Sequence, residues 1–173
     1  MDQQSTLGAP AVGLPRRLAA LVYDCLLLLA ILFVGTLAVL PLTGGEAITP
    51  AAQGLGAYLV YRAYLALLAL GYFGMAWTRG GQTLGMKAWK IRLGTADDNA
   101  PRWPAAIRRF AFGLALAVAA ESGLHLALQP DGLARVLAGA LLLAVFANFA
   151  WIRFEPRARS LQDLASRTRI LRS

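Results

Sequence analysis

The stretch from Leu18 to Leu40 constrains this chain most, because it is 23 residues long and contains one charged residue, Asp24. At about 1.5 Å per residue, a helix over this stretch exceeds the roughly 30 Å hydrocarbon core of a bilayer. The apolar run is longer than the roughly 7–15 residues of a signal-peptide core, which favours a retained span over a cleaved signal. A carboxylate inside a span costs about 2.5–3.5 kcal/mol on insertion scales, so Asp24 is predicted to find partners within the protein.

Three further apolar stretches follow the first, at residues 56–77, 105–128 and 133–154. The chain of 173 residues is 58% hydrophobic and 15% charged, whereas globular chains carry roughly 25% charged residues. This composition predicts an all-α polytopic membrane protein with four transmembrane helices, the first over residues 18–40. Residues 1–15 are expected to be a disordered N-terminus, and residues 16–173 one membrane domain that ends in a basic tail at 155–173.

The basic residues are distributed unevenly between the predicted connections. Of the 17 Lys and Arg residues, all but Arg62 and Arg135 lie at the N-terminus, in or just after the connection between the second and third spans, or from Arg153 at the end of the fourth span onward. By the positive-inside rule, this asymmetry predicts that both termini and that connection are cytoplasmic. Because the charges fall between apolar stretches, the net charge of +8 indicates contact with anionic lipid headgroups rather than with nucleic acid.

A set of polar side chains is predicted at one depth in the membrane. Asp24, Tyr72 and Asn148 each lie five or six residues from the cytoplasmic ends of their spans, which is roughly 8–9 Å by helix rise. Polar groups in lipid turn inward, so we expect a polar layer of these three residues with Arg17 or Arg109 as counter-ion. The layer can be interpreted as an ion- or proton-binding step, or as a structural clasp that holds the helices in register.

A second ionisable cluster is predicted near the opposite face of the membrane. Glu121 and His125 are four residues apart and share a helix face, and Arg62 and Arg135 lie at similar depth. A Glu–His pair can carry protons or contribute to a metal site, but one carboxylate and one imidazole are too few for a metal site. We therefore expect no bound metal, and an interfacial salt-bridge group is the favoured interpretation.

The connection over residues 79–104 is long for a helical bundle, which indicates structure of its own. Between residues 84 and 93, apolar side chains alternate loosely with basic ones, as in amphipathic segments at anionic membrane surfaces. Residues 90–93 are predicted to form a short strand, and the similar string at residues 168–171 is a candidate to pair with it. The glycines here do not predict a phosphate-binding loop, because the Gly-Lys-Ser/Thr ending is missing.

Together these features resemble the RDD family of membrane proteins, which is named for one arginine and two aspartates. The arginine that opens the first span corresponds to Arg17, and the aspartate within that span corresponds to Asp24. The second aspartate, in the C-terminal motif SLQDLASRTRIL, corresponds to Asp163. The resemblance raises the expectation that Asp163 pairs with Arg17 or Arg109 and ties the tail to the bundle.

Two further motifs support this resemblance. They are the basic start of the third span, Arg108-Arg109, and a glycine-rich stretch after the second span, Gly81-Gln82-Thr83-Leu84-Gly85 followed by Lys87. One departure matters: family members often carry His before the last aspartate, whereas this chain has Gln162. A proton relay through that position is therefore not expected here.

The resemblance implies a bacterial inner-membrane protein, in a family mostly without assigned activity, with ion transport suggested for some members. The first functional hypothesis is thus a transporter or transporter subunit for an ion or proton, as a homo-oligomer or with another membrane protein, since four helices make a thin wall. The alternative is a membrane adaptor or assembly factor with a basic cytoplasmic face. Enzymatic activity and a cofactor are not expected, because the chain has no Ser-His-Asp set and no paired-cysteine motif.

Overall fold

The computed structural model describes residues 12–154 and 159–173. Four long helices dominate it: α1 (Leu14–Val39), α2 (Pro50–Gly80), α4 (Trp103–Ala127) and α5 (Gly132–Phe154). A 3₁₀ turn, Leu40–Thr43, follows α1. Two short helices, α3 (Leu84–Ala88) and α6 (Leu161–Ser166), and two strands, β1 (Ile91–Gly94) and β2 (Arg169–Arg172), complete the described chain.

Proline and glycine set the ends of the long helices. Pro15, Pro50 and Pro104 lie in the first turns of α1, α2 and α4, where a missing N–H costs nothing. The α2 helix ends at Gly81, which adopts a left-handed conformation with φ of 67°. Gly54, with φ of 81°, kinks the first turns of α2, so the apolar stretch predicted from residue 56 begins just after the kink.

The four predicted spans are confirmed. Four helices within the described residues are long and apolar enough to cross a membrane, over Leu14–Thr43, Pro50–Gly80, Trp103–Ala127 and Gly132–Ile152. Of the predicted disordered N-terminus, residues 1–11 lie outside the described residues. Val12 is buried in the core and α1 begins at Leu14, so the ordered chain begins before the predicted boundary at residue 16. Residues 155–158 of the predicted tail also lie outside the description.

The helices pack mainly as successive neighbours. The α1 helix packs on α2 and α3, α2 packs on α4, and α4 packs along α5, while α6 covers parts of α4 and α5. Many large apolar side chains along these helices face outward, as expected where lipid is the solvent.

The best-buried cluster lies at one end of the long helices. It contains Trp77 near the end of α2, Ala20 in α1, Met86 in α3, and Ile91 and Leu93 in β1. We call this end, where α1 and α4 begin and α3, α6 and the sheet lie, the basic end. The core of the protein therefore lies where the long helices meet the short helices and the sheet.

The predicted pairing of the two short strings is confirmed. The β1 and β2 strands pair antiparallel, with Ile91 opposite Arg172 and Leu93 opposite Ile170. Each strand begins one residue later than predicted. The amphipathic segment, residues 84–93, comprises α3 and β1. Met86, Ile91 and Leu93 are buried in the core, whereas Leu84 and Trp89 are exposed, as are Lys87 and Lys90.

Candidate functional site

Asp24 lies in a closed polar site between α1, α2 and the glycine-rich loop. Its Oδ1 atom accepts hydrogen bonds from the Tyr72 hydroxyl at 2.9 Å and from the Gly85 backbone N–H at 3.0 Å. Its Oδ2 atom accepts from the Thr83 hydroxyl at 2.5 Å. Asp24 is 4% exposed. Three uncharged donors therefore replace the water that this carboxylate would otherwise bind.

The glycine-rich loop, Gly81–Gly85, folds back onto α1 for local reasons. The left-handed Gly81 reverses the chain at the end of α2, and its carbonyl accepts a 2.6 Å hydrogen bond from the Leu93 N–H. Thr83 caps α3 by accepting from the Met86 N–H at 3.1 Å, so one hydroxyl both starts the helix and binds Asp24. The loop is thus held by β1 on one side and by the carboxylate on the other.

Gly85 is where the loop approaches α1 most closely. A Cβ atom at this position would lie 2.9 Å from the Asp24 carboxyl group and closer still to the Ala20 carbonyl oxygen. Such separations are shorter than van der Waals contact, so only glycine allows the backbone N–H to reach Asp24. The contact with Asp24 therefore explains the glycine at position 85, whereas Gly81 is required by its left-handed backbone.

Asp163 lies in a second, separate site at the basic end. The Nη1 atom of Arg109 lies 2.6 Å from Asp163 Oδ1, and the Nη1 atom of Arg17 lies 2.8 Å from Asp163 Oδ2. Asp163 is 0% exposed, and both arginine side chains are buried against it. Two helices that begin at the basic end, α1 and α4, are thereby fastened to α6. We call this arrangement of Arg17, Arg109 and Asp163 the clasp.

Hydrogen bonds to uncharged groups complete the clasp. Ser160 and Asp163 form a capping box, in which the Ser160 N–H donates to Asp163 Oδ2 at 3.0 Å and the Asp163 N–H donates to the Ser160 hydroxyl at 3.1 Å. Arg109 also donates to the Thr168 hydroxyl at 2.9 Å, and its backbone carbonyl accepts from Gln162 at 2.9 Å. The guanidinium of Arg109 further packs over the Trp77 ring, 5.7 Å from the centroid.

The two arginines set the charge state of Asp163. Burial by itself raises the pKa of this carboxyl, but the guanidinium groups of Arg109 and Arg17, with the Ser160 N–H, more than compensate. The pKa of Asp163 is consequently below its ordinary value, and the group is an anion at neutral pH. Arg109, Arg17 and Asp163 thus form a buried ionic triad with two positive charges and one negative charge.

The prediction of a single polar layer is wrong, because its members divide between these two sites. Tyr72 does contact Asp24. Asn148 instead accepts from the Gln162 N–H at 3.4 Å on the side of α6, and Arg17 and Arg109 pair with Asp163 rather than with Asp24. Equal depth along helices does not give equal direction around them, and the arginines point out of the bundle to meet α6.

The second predicted cluster is reduced to one ion pair with an aromatic neighbour. Arg62 makes a bidentate contact with Glu121, at 2.7 and 2.6 Å, and also donates to the Tyr58 hydroxyl at 3.3 Å. Both charged side chains are substantially exposed. His125 and Arg135 are exposed and form no ion pair with these residues in the described part of the chain. Glu121 therefore forms a salt bridge with Arg62 rather than a pair with His125.

Several residues of these sites were not predicted. Thr83 and Gly85 were recognised as parts of a motif but not as partners of Asp24, and Lys87 of the same motif is exposed on α3. Ser160 could have been found, since Ser followed three residues later by an acidic residue is a capping-box pattern. The contact of Thr168 with Arg109 carries no local sequence signal. Over the described residues, no three His, Cys, Asp or Glu side chains come together as metal ligands would.

Comparisons with known proteins are consistent with this geometry. No curated protein and no solved structure matches this chain significantly. The model of the RDD family matches residues 11–167, a range that includes Arg17 and both aspartates. Because this match covers most of the 173 residues and the chain has four helices apolar enough to span a membrane, it is a membrane protein of the RDD family.

Proposed function

We propose that this protein is a multi-pass protein of the bacterial inner membrane in which Asp24 binds an ion or proton as a step in transport. In this proposal both termini and the basic end are cytoplasmic, as the distribution of basic residues favours. The single observation that supports a binding step is the environment of Asp24. It is a buried carboxylate that lies within a span and has no cationic partner among the described residues.

The contrast with Asp163 gives this observation its weight. Two guanidinium groups neutralise the charge of Asp163. Asp24 instead accepts hydrogen bonds from the hydroxyls of Thr83 and Tyr72 and from one backbone N–H. Three neutral donors satisfy the lone pairs of a carboxylate without cancelling its charge. A bound proton or cation would cancel this charge. Inside a membrane, the free energy gained by cancelling it is of the order of the insertion cost of a carboxylate, about 2.5–3.5 kcal/mol.

Oligomerisation is part of the proposal. The long helices pack chiefly as neighbours in sequence, α1 on α2, α2 on α4 and α4 on α5, and their outer surfaces are apolar. A row of helices does not enclose an aqueous path by itself. We propose that a second copy, or another membrane protein, provides the opposite wall, so the chain acts as a transporter or as one of its subunits.

The test is flux through proteoliposomes. Wild-type protein should move protons or monovalent cations down an imposed gradient faster than empty liposomes, and Asp24→Asn should reduce that flux at least tenfold. Glu46→Gln is the matched control, since Glu46 is an exposed carboxylate in the α1–α2 connection and its loss should leave flux unchanged. Equal size-exclusion profiles would show that the variants are folded. Equal flux in wild type and Asp24→Asn, or no flux above empty liposomes, would refute the proposal.

A second candidate, a membrane adaptor or assembly factor, is favoured by the surface of the basic end. Lys87, Lys90, Arg108 and Arg172 are all exposed there, around a folded unit of α3, α6 and the sheet. Such a surface suits an acidic partner protein. Extraction in a mild detergent should then recover a second protein in constant ratio, and recovery of this chain alone would count against the adaptor. Neither candidate involves catalysis, and we propose no enzymatic role.

A further inference from the structure

A cleft at the basic end lies apart from both carboxylate sites. It has a volume of about 500 Å³ and lies between the last turns of α2 and the beginning of α4. Met75, Thr78 and Arg79 of α2 form one wall, and Pro101, Arg102 and Trp103 form the other. None of these residues takes part in the Asp24 site or the clasp.

The apolar half of the cleft is built by a close helix–ring contact. Gly74 in α2 packs beneath the six-membered ring of Trp103, and a Cβ atom there would lie 2.5 Å from that ring. The Trp103 ring is therefore held against α2, yet it remains 46% exposed on its other side, and Met75 is 44% exposed beside it. Together these side chains give the cleft an apolar wall at the depth where α2 leaves the span.

The other half of the cleft is cationic. Arg79 ends α2 and Arg102 precedes α4, and both side chains are exposed. Neither arginine makes an ion pair with any described residue, and no carboxylate lines the cleft. By contrast, Arg17, Arg62, Arg92, Arg109 and Arg169 each have an acidic partner. Exposed arginines outside the cleft, such as Arg16 and Arg108, also make no ion pair with a described residue, so what distinguishes Arg79 and Arg102 is that they line one cleft with an apolar wall.

We propose that this cleft binds the phosphate of an anionic phospholipid, with Arg79 and Arg102 on the phosphate and Trp103 and Met75 along the start of an acyl chain. Guanidinium groups bind phosphate oxygens in bidentate geometry, and Trp is enriched at the headgroup level of membranes. A soluble phosphate would use the arginines but not the apolar wall, so the combination of both walls identifies a lipid. Basic pockets between helices at a membrane surface suit such headgroups. This proposal stands independently of ion binding at Asp24.

Lipid retention measured by native mass spectrometry tests the proposal. The protein is purified from bilayers that contain equal amounts of phosphatidylglycerol and phosphatidylcholine, and the bound lipids are counted. Wild-type protein should retain phosphatidylglycerol preferentially. The double variant Arg79→Gln with Arg102→Gln should weaken that retention about twenty-five-fold, at about fivefold per arginine, which corresponds to about 1 kcal/mol each at 1.4 kcal/mol per tenfold.

The control removes the same charge elsewhere at the basic end. Arg16→Gln with Arg108→Gln replaces two exposed arginines near the beginnings of α1 and α4 that do not line the cleft. Its retention should stay within about twofold of wild type. Equal losses in the two double variants would show a diffuse surface attraction and overturn the site, as would full retention after loss of Arg79 and Arg102.

A second measurement distinguishes a lipid from a free phosphate. Phosphatidylglycerol with brominated acyl chains should quench tryptophan fluorescence more than brominated phosphatidylcholine, and the difference should disappear in Trp103→Phe. Glycerol phosphate in millimolar excess should not displace the lipid. Displacement by glycerol phosphate would show an anion site without the acyl-chain wall, and equal quenching by the two lipids would show no headgroup preference. Either result would contradict the proposal.

Discussion

Replacing Asp163 with Asn isolates the electrostatic part of the clasp. Asn keeps the size of the side chain and can still accept the hydrogen bond from the Ser160 N–H, so the capping of α6 is largely retained. What disappears is the negative charge between the guanidinium groups of Arg109 and Arg17, which are 2.6 and 2.8 Å away. Both cations then lack the anion that lies between them in the wild-type protein.

The expected loss follows from that burial. Removing one partner of a buried ion pair costs about 3–5 kcal/mol, because the remaining charge stays in a low-dielectric site. Here two cations are uncompensated, but their guanidinium groups can turn toward solvent at the beginnings of α1 and α4. We therefore expect about 3 kcal/mol for the release of α6 and β2 from the bundle, which is roughly a hundredfold change in the opening equilibrium.

Amide hydrogen exchange in detergent micelles measures this opening directly. Exchange in β1, β2 and α6 should accelerate about a hundredfold in Asp163→Asn, while exchange in the middle of α4 should change little. Asp98→Asn is the matched control, because Asp98 pairs with Arg169 of β2 at 2.7 Å but is 56% exposed. A surface pair contributes about 0–1 kcal/mol, so this variant should accelerate exchange less than about fivefold. Similar acceleration of exchange in the two variants would refute the claim that the charge of Asp163 holds the clasp together.

Two further predictions follow from the same contacts. The pKa of Asp163 in the folded state is depressed, so the clasp should contribute its full stability above about pH 5. That stability should be lost as the pH falls through the folded-state pKa. Near-ultraviolet circular dichroism should show this acid transition in wild type but not in Asp163→Asn. Gly85→Ala should destabilise the protein by about 1–3 kcal/mol, because its Cβ would displace the loop from Asp24. Gly80→Ala, where a Cβ meets nothing within 4 Å, should leave the thermal midpoint nearly unchanged.

The fold was largely predictable because its strongest signals are one-dimensional. An apolar run longer than the bilayer is thick predicts a span without any knowledge of neighbours, and all four runs do form helices. The antiparallel pairing of residues 91–94 with 169–172 was also accessible, since both strings alternate and both had to lie on the same side of the membrane. The starts of α2 and α4 were less predictable from hydropathy, because Pro50 and Pro104 lie in first turns that begin before the apolar stretches.

The sites were less predictable, because they depend on direction around a helix. Depth in the membrane brought Asp24 and Tyr72 together correctly, since adjacent helices supply them. The same argument failed for Asn148, which lies on α5 and contacts Gln162 in α6 rather than Asp24 in α1. The loop that carries Thr83 and Gly85 occupies the place expected for Arg17 beside Asp24. Gly81 and Thr83 give local signals for a turn and a helix start, but they do not indicate that the loop contacts Asp24.

The two aspartates are linked physically although they do not touch. The loop that holds Asp24 is bonded to β1, through the Gly81 carbonyl to the Leu93 N–H and through the Gln82 side chain to the Ile91 carbonyl. The β1 strand pairs with β2, which directly follows the helix that carries Asp163. A loop displaced from Asp24 must therefore pull on the sheet or break from it.

This continuity has a thermodynamic consequence for the proposed binding step. If a proton or cation at Asp24 releases the loop, and if the displaced loop loosens the sheet and the clasp, then binding at Asp24 and the stability of the clasp are coupled. Linkage requires the reverse effect to be equal, so loosening the clasp must change the affinity of Asp24 by the same factor. Arg17, Asp24 and Asp163 therefore belong to two separate sites that the glycine-rich loop and the two-stranded sheet connect.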